Sequence, residues 1–290
     1  MLKARCEMHL SDKYPFLINY FENGIKNPNK SIAHSILFYG NDIDAQYQLA
    51  LYIARLLNCK KDKNYDCECL DCNWIRNGEH PAVLTISRKD NKPDDDDSKT
   101  VISLKQANQV KQTLLNSSDF HRIFIFCDKN ENDEILGLNN LNFQEETANA
   151  LLKTIEEPPQ NTTFFFLTRN KDDLISTIIS RSQCFFVPTF EHKNIDWTPI
   201  KDLFENYFEF ERQTVFEVAN NLNNFSKNSI ETLEQMQSYI LSLMKNNFEN
   251  KQFLVKLLHD IESVEYAKRQ IIAKVTPLNV FENLCIEIIK

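Results

Sequence analysis

No stretch of this 290-residue sequence approaches the roughly 20 consecutive apolar residues needed to cross a bilayer. The opening segment, residues 1–10, has no hydrophobic signal-peptide core either. A cytoplasmic chain with no membrane partner is therefore expected. A basic surplus is missing as well: 33 Lys and Arg stand against 41 Asp and Glu, and both parts of the chain share the deficit. Non-specific nucleic-acid affinity comes from cations that neutralise phosphates, so such a chain is not expected to hold DNA by itself. Any contact with DNA would run through partners. Glycine is nearly absent, with four residues against 21 phenylalanines; beside abundant Asn and Lys this reads as compositional bias, and the Asn runs are given no functional weight.

What is present is an ordinary globular balance, 42% apolar and 26% charged, enough for one large core or two to three smaller ones. The first half alternates strand and helix signals. Strands are predicted over 35–39, 82–86, 122–127, 162–167 and 184–187. Helices are predicted over 44–57, 103–115 with Ser103 as N-cap, 144–156 with Pro158-Pro159 as its stop, and 173–180. That order predicts a parallel sheet wrapped by helices. The run Asp94 to Asp97 beside Pro93 reads as a solvated loop. Beyond Pro188 only helices are predicted, over 215–221, 230–244, 252–261, 264–272 and 278–288. In a reducing compartment eight cysteines pose the question of a shared metal rather than of disulfides. Cys59, Cys67, Cys69 and Cys72 cluster, whereas the isolated Cys6, Cys127, Cys184 and Cys285 read as small core residues.

The first strand feeds Gly40 and then a helix, the frame of a loop whose backbone N–H groups cradle phosphate oxygens. A working loop reads G-x-x-x-x-G-K-S/T. Here Gly40-Asn41-Asp42-Ile43-Asp44-Ala45-Gln46-Tyr47 has no second glycine, no lysine and no hydroxyl for Mg²⁺, and it places two aspartates where the anion would sit. In a confined site that repulsion is worth several kcal/mol, against roughly 1 kcal/mol in open water. Binding of ATP by this chain is not expected. The strand over 122–127 ends at Asp128-Lys129-Asn130; Asp128 keeps the chemistry to hold a metal, but a charged Lys129 cannot act as general base.

The segment Ala148-Asn149-Ala150-Leu151-Leu152-Lys153-Thr154-Ile155-Glu156-Glu157-Pro158-Pro159 strongly resembles the bacterial clamp-loader signature ANALLKTLEEPP. Phe164 to Thr168 matches the strand that follows it in that AAA+ family, and Ser180-Arg181-Ser182 matches its SRC motif with Ser182 in place of Cys. With His34 before the first strand and His80-Pro81 before the second, the resemblance covers roughly residues 15–188. Lacking the loop lysine, the chain is similar to the delta-prime branch of DNA polymerase III clamp-loader subunits. The resemblance implies a non-catalytic ring member that presents Arg181 to ATP on a neighbouring subunit. Arginine suits that task, because its planar, permanently charged fork can stabilise γ-phosphate charge across an interface. Thr168 falls at the family's polar sensor position; beside an incomplete loop it reads as satisfying a strand end.

Members of the family commonly carry a zinc module after the first helix, with spacing near C-x8-C-x2-C-x2-C. Cys59-x7-Cys67-x-Cys69-x2-Cys72 stands in that place with two shorter gaps. Four thiolates around Zn²⁺ would form a closed structural site, the alternative being a decayed module of free thiols. The fold expected is an α/β AAA+ RecA-like parallel-sheet domain over 1–188 with a zinc-binding insertion at about 59–72. A shortened lid or linker over 189–210 and an all-α collar domain over 211–290 would follow. The implied partners are gamma/tau-type ATPase and delta subunits, with the sliding clamp and primed DNA reached through the assembly. Two other readings stay open: an active gamma/tau-type ATPase, which would need turnover by the isolated chain, and a stand-alone zinc-dependent nucleic-acid-binding protein, which would need salt-sensitive DNA binding without partners.

Overall fold

Pro15 starts a helix because its missing N–H and fixed φ suit a first helical turn. Helices α1 (Leu10–Lys13) and α2 (Pro15–Lys26) therefore meet at Tyr14. In this computed structural model the chain continues as β1 (Ser35–Tyr39), α3 (Ile43–Asn58), α4 (Leu70–Arg76), β2 (Val83–Ile86), α5 (Leu104–Leu115) and β3 (Arg122–Phe126). A two-stranded hairpin, β4 (Asp128–Lys129) and β5 (Ile135–Leu136), precedes α6 (Glu145–Glu156), β6 (Thr162–Thr168), α7 (Ser176–Ile179) and β7 (Gln183–Phe186). The structure describes residues 10–27, 31–90, 101–130, 132–189, 196, 198–204, 215–247 and 250–289. Cys6, the run Asp94 to Asp97 and most of the expected lid lie outside them.

The five long strands form one parallel sheet in the order β2-β3-β6-β1-β7. Helices cover both faces, so the inner strands read as unbroken apolar runs rather than alternating ones. Ile36, Leu37, Phe38 and Phe164 to Leu167 are fully buried. Parallel register stacks Phe124 on Phe164 at 5.5 Å and Phe126 on Phe166 at 5.1 Å between ring centroids, while Phe38 stacks diagonally on Phe165 at 5.9 Å. One face packs on α5, α6 and α7 through Val110, Leu114, Leu151, Ile155 and Ile178. On the other, Phe21 of α2 meets Phe38 and Phe185.

Ser103 caps α5 in a reciprocal capping box with Gln106, and α6 stops at Glu156 ahead of Pro158, as the sequence predicted. Cys127 is a buried core residue, and Cys184 packs half-buried against the same core. The helix expected over 173–180 is shorter. Leu174 is buried in extended backbone between a 3-10 turn at Lys171–Asp173 and α7, because its side chain turns into the core. The hairpin after β3 was not foreseen: its strands have two residues each and no periodicity to read.

The chain divides into two compact units, Met1–Thr189 and Phe190–Lys290. The regular elements among the second unit's described residues are all helices: α8 (Thr198–Phe204), α9 (Val215–Phe225), α10 (Ser229–Asn246), α11 (Lys251–Ile272) and α12 (Pro277–Ile289). Helix α9 packs on α12, and α10 packs on α11. The two helices expected over 252–261 and 264–272 are one. Leu254, Leu257, Ile261, Val264 and Ala267 continue a single buried stripe at helical spacing, and Glu262 and Ser263 sit beside that stripe rather than breaking it. Cys285 is buried in α12, where burial pushes its thiol up to about 12. No helix among the described residues is long and apolar enough to cross a membrane.

Candidate functional site

The turn from β1 into α3 is built for close approach. Gly40 has φ 130°, and a Cβ there would lie 2.3 Å from the Val187 carbonyl oxygen. Its N–H is shared between the carbonyls of Thr168 (3.2 Å) and Arg169 (3.1 Å), which ties the loop to the end of β6. Asp42 then caps α3, its Oδ1 accepting the Ala45 N–H at 3.0 Å. Its Oδ2 receives the Lys13 ammonium and the Tyr14 hydroxyl, the latter 2.8 Å away and equally close to the Pro188 carbonyl. A carboxylate of the chain thus occupies the helix N-terminus, the position an external phosphate would take. Asp44 stays exposed in the first turn of α3, so only one of the two aspartates takes that position. Although the residue keeps contact with solvent, partial burial of its carboxyl, then the nearby Asp42, raises Asp44 above its ordinary value.

Gln46 stands where a working loop has lysine, and it is fully buried. Its Nε2 donates to the Gly40 carbonyl at 2.8 Å and to the Thr168 carbonyl at 3.1 Å, closing the loop onto the sheet. The Thr168 hydroxyl lies 2.9 Å from the carbonyls of both Leu138 and Asn170, so it satisfies a strand end. Asp128 is buried and engaged as well: Oδ2 accepts Arg88 Nε at 3.0 Å and Asn142 Nδ2 at 3.1 Å. Sequence reading missed these partners. Lys13, Tyr14, Arg88 and Asn142 approach from other elements, and no local spacing announces them.

The SRC-like turn places Arg181 just after α7, half-buried. Its Nε donates to Glu156 Oε1 at 2.7 Å, its Nη2 reaches the same oxygen, and its Nη1 donates to the Thr177 carbonyl at 3.0 Å. Ser182 donates to the Ile178 carbonyl and meets Ser35 at 2.7 Å, so a small hydroxyl fits where the motif has cysteine.

The four clustered cysteines converge. Cys59 ends α3, Cys69 precedes α4 and Cys72 follows one turn later; all four are buried and free, with their sulfurs within 4.8 Å of one another. Cys59 lies 3.5 Å from Cys67 and 3.9 Å from Cys69. Both separations are too long for a disulfide. They suit a tetrahedral metal, because bonds of about 2.3 Å to four sulfurs give edges of about 3.8 Å. Lys61 and Lys63 direct backbone N–H groups at Cys59 Sγ, each at 3.4 Å, and Lys63 adopts φ 46° to do so. Arg76 Nη2 holds the carbonyls of Tyr65 and Cys67 at 3.0 Å each, while Arg55 lies over the Tyr65 ring. Burial raises the thiols of Cys59 and Cys72, whereas a backbone N–H from Cys69 lowers that of Cys67 to about 7.

A parallel sheet of this strand order, with a phosphate-loop frame closed by its own side chains, defines an AAA+-like α/β domain, here followed by a helical region. The family model described as DNA polymerase III, delta subunit matches residues 14–191, and the chain belongs to the delta-prime clamp-loader subunits of that family. DNA polymerase III subunit delta' of Buchnera aphidicola subsp. Schizaphis graminum is 30% identical over 189 residues, covering 63% of this chain and 52% of the relative. The Bacillus subtilis delta' subunit is 25% identical over 179 residues, covering 60% and 47%. The Bacillus subtilis tau subunit is 29% identical over 158 residues, covering 54% and 25%. The aligned region spans about half the length of these delta' relatives.

Proposed function

We propose that this chain is a non-hydrolysing subunit of a cytoplasmic DNA polymerase III clamp loader, supporting ATP-dependent placement of the sliding clamp on primed DNA. The observation that carries this reading is the self-filled loop: Asp42 takes the anion position and Gln46 the lysine position, each bonded within the chain. ATP would have to displace a carboxylate already paired with Lys13, at a loop where Gln46 stands in place of the lysine and Tyr47 in place of the Mg²⁺-holding Ser or Thr. The chain's nucleotide chemistry is instead outward, through Arg181 acting on ATP held by a neighbouring gamma/tau-type subunit. Delta subunit, clamp and DNA are reached through the assembly, with the helical unit as the collar. Zn²⁺ is the metal that Cys59, Cys67, Cys69 and Cys72 would hold, and four thiolates leave it no open position for catalysis.

Reconstitution with the cognate ATPase subunit, delta subunit, clamp and primed DNA tests this. Arg181→Ala is expected to assemble normally but to lose roughly tenfold or more of DNA-stimulated ATPase and clamp loading. Unchanged activity would remove the trans-acting role. Micromolar ATP affinity with turnover by the isolated chain would favour the gamma/tau-type reading, to which the likeness to a tau subunit gives some weight.

A further inference from the structure

We infer that Glu156, the last residue of α6, is a positioning residue for Arg181. The inference rests on the trans-acting role proposed above. A carboxylate at a helix C-terminus faces the negative end of the helix dipole and is unfavourable there unless a cation answers it. Arg181 supplies that cation from the far side of a 25-residue separation, and the way it does so is informative. Glu156 takes the side edge of the guanidinium, Nε and Nη2, on a single oxygen. Thr177 holds Nη1 by its carbonyl, and Ser180 Oγ lies at the longer distance of 3.4 Å. Two anchors on two elements therefore fix the plane of the fork, and among the described residues none takes the outer N–H of Nη2 at its tip.

A free arginine loses several rotors when it engages a phosphate; one already held by a carboxylate and a carbonyl does not. Pro158 fixes where α6 ends and hence where the carboxylate stands. Glu156 thus sets the direction of a charge that acts on another subunit, without touching the nucleotide itself. Glu157, whose backbone N–H bonds the Lys153 carbonyl, has no such duty.

Steady-state kinetics of the reconstituted loader, with kcat and KM for ATP determined separately, test the pair. Glu156→Ala is expected to lower kcat roughly tenfold or more with KM nearly unchanged, because orientation matters in the transition state. Glu156→Gln, which keeps an acceptor oxygen, should recover part of the loss, and Glu157→Ala should match wild type. Glu156→Ala with Arg181→Ala should be no worse than Arg181→Ala alone. If Arg181→Ala is impaired while Glu156→Ala turns over like wild type or faster, the positioning role falls and the trans-acting role stands. If Arg181→Ala itself is unimpaired, both fall. Additive losses in the double variant, or a KM effect alone, would also overturn the positioning role. Should Glu156→Ala fail to assemble, the same cycle run with Glu156→Gln decides.

Discussion

At Asp42 one carboxylate does the work of a helix cap, an ion-pair partner and a stand-in for a bound anion. Asp42→Ala is expected to cost about 2 kcal/mol in chemical denaturation, mostly the cap, since the contact with Lys13 is partly screened by solvent. Asp42→Asn keeps the cap and should cost less; equal losses would show that the cap is not the main contribution. His121 offers a pH test. Its ring lies 2.8 Å from the Thr163 hydroxyl, and burial, then the neighbouring Arg122, hold it down to about 4 from an ordinary 6.5. Above pH 6.5 neither the folded nor the unfolded chain protonates it. As pH falls from 6.5 towards 4, only the unfolded chain takes the proton, so stability worth roughly 2–3 kcal/mol is lost across that window. His121→Gln should flatten the decline, and parallel stability curves for the two proteins would refute the assignment.

Among the elements, the loop from Cys59 into α4 is where the zinc reading can be tested, since it gathers the four buried cysteines. The zinc reading predicts one Zn per purified chain, and predicts that chelation or Cys72→Ser lowers the melting temperature by roughly 5–10 °C and exposes α4 amides to exchange. Metal-free protein of full stability would sink it. The clustering of the four cysteines was legible because they are close in sequence; the shortened Cys67-x-Cys69 gap could not say whether the sulfurs meet. Their second layer, Arg55, Arg76 and the N–H groups of Lys61 and Lys63, gave no sequence signal, since arginines and backbone amides look alike everywhere until a turn aims them. Continuity of α11 was hidden for a different reason. Glu262-Ser263 resembles a break when read linearly, yet on a helix it lies beside the stripe that runs from Leu254 to Ala267.

For the whole molecule, net charge and fold answer different questions. An acidic chain of formal charge -8 should show no micromolar binding to primed DNA by fluorescence anisotropy, even at low salt, in the absence of partners. Tight, salt-sensitive binding would revive the stand-alone nucleic-acid reading. The parallel sheet was legible because strands buried on both faces must be apolar throughout, as Ile36 to Phe38 and Phe164 to Leu167 are. The Gly40 turn was legible because an apolar strand runs into a glycine and then into a helix-spaced apolar pattern. What fills that turn was not, since Lys13 and Gln46 reach it through the fold. On the proposed reading, the loop's filling couples two positions, so that neither can be changed to a nucleotide-binding residue independently of the other. Gln46→Lys alone would restore a cation while leaving Asp42 across the helix N-terminus, and loss of Asp42 alone would sacrifice the cap. Nucleotide binding by this loop would therefore require both changes together, and neither single variant is expected to bind ATP in a filter-binding assay.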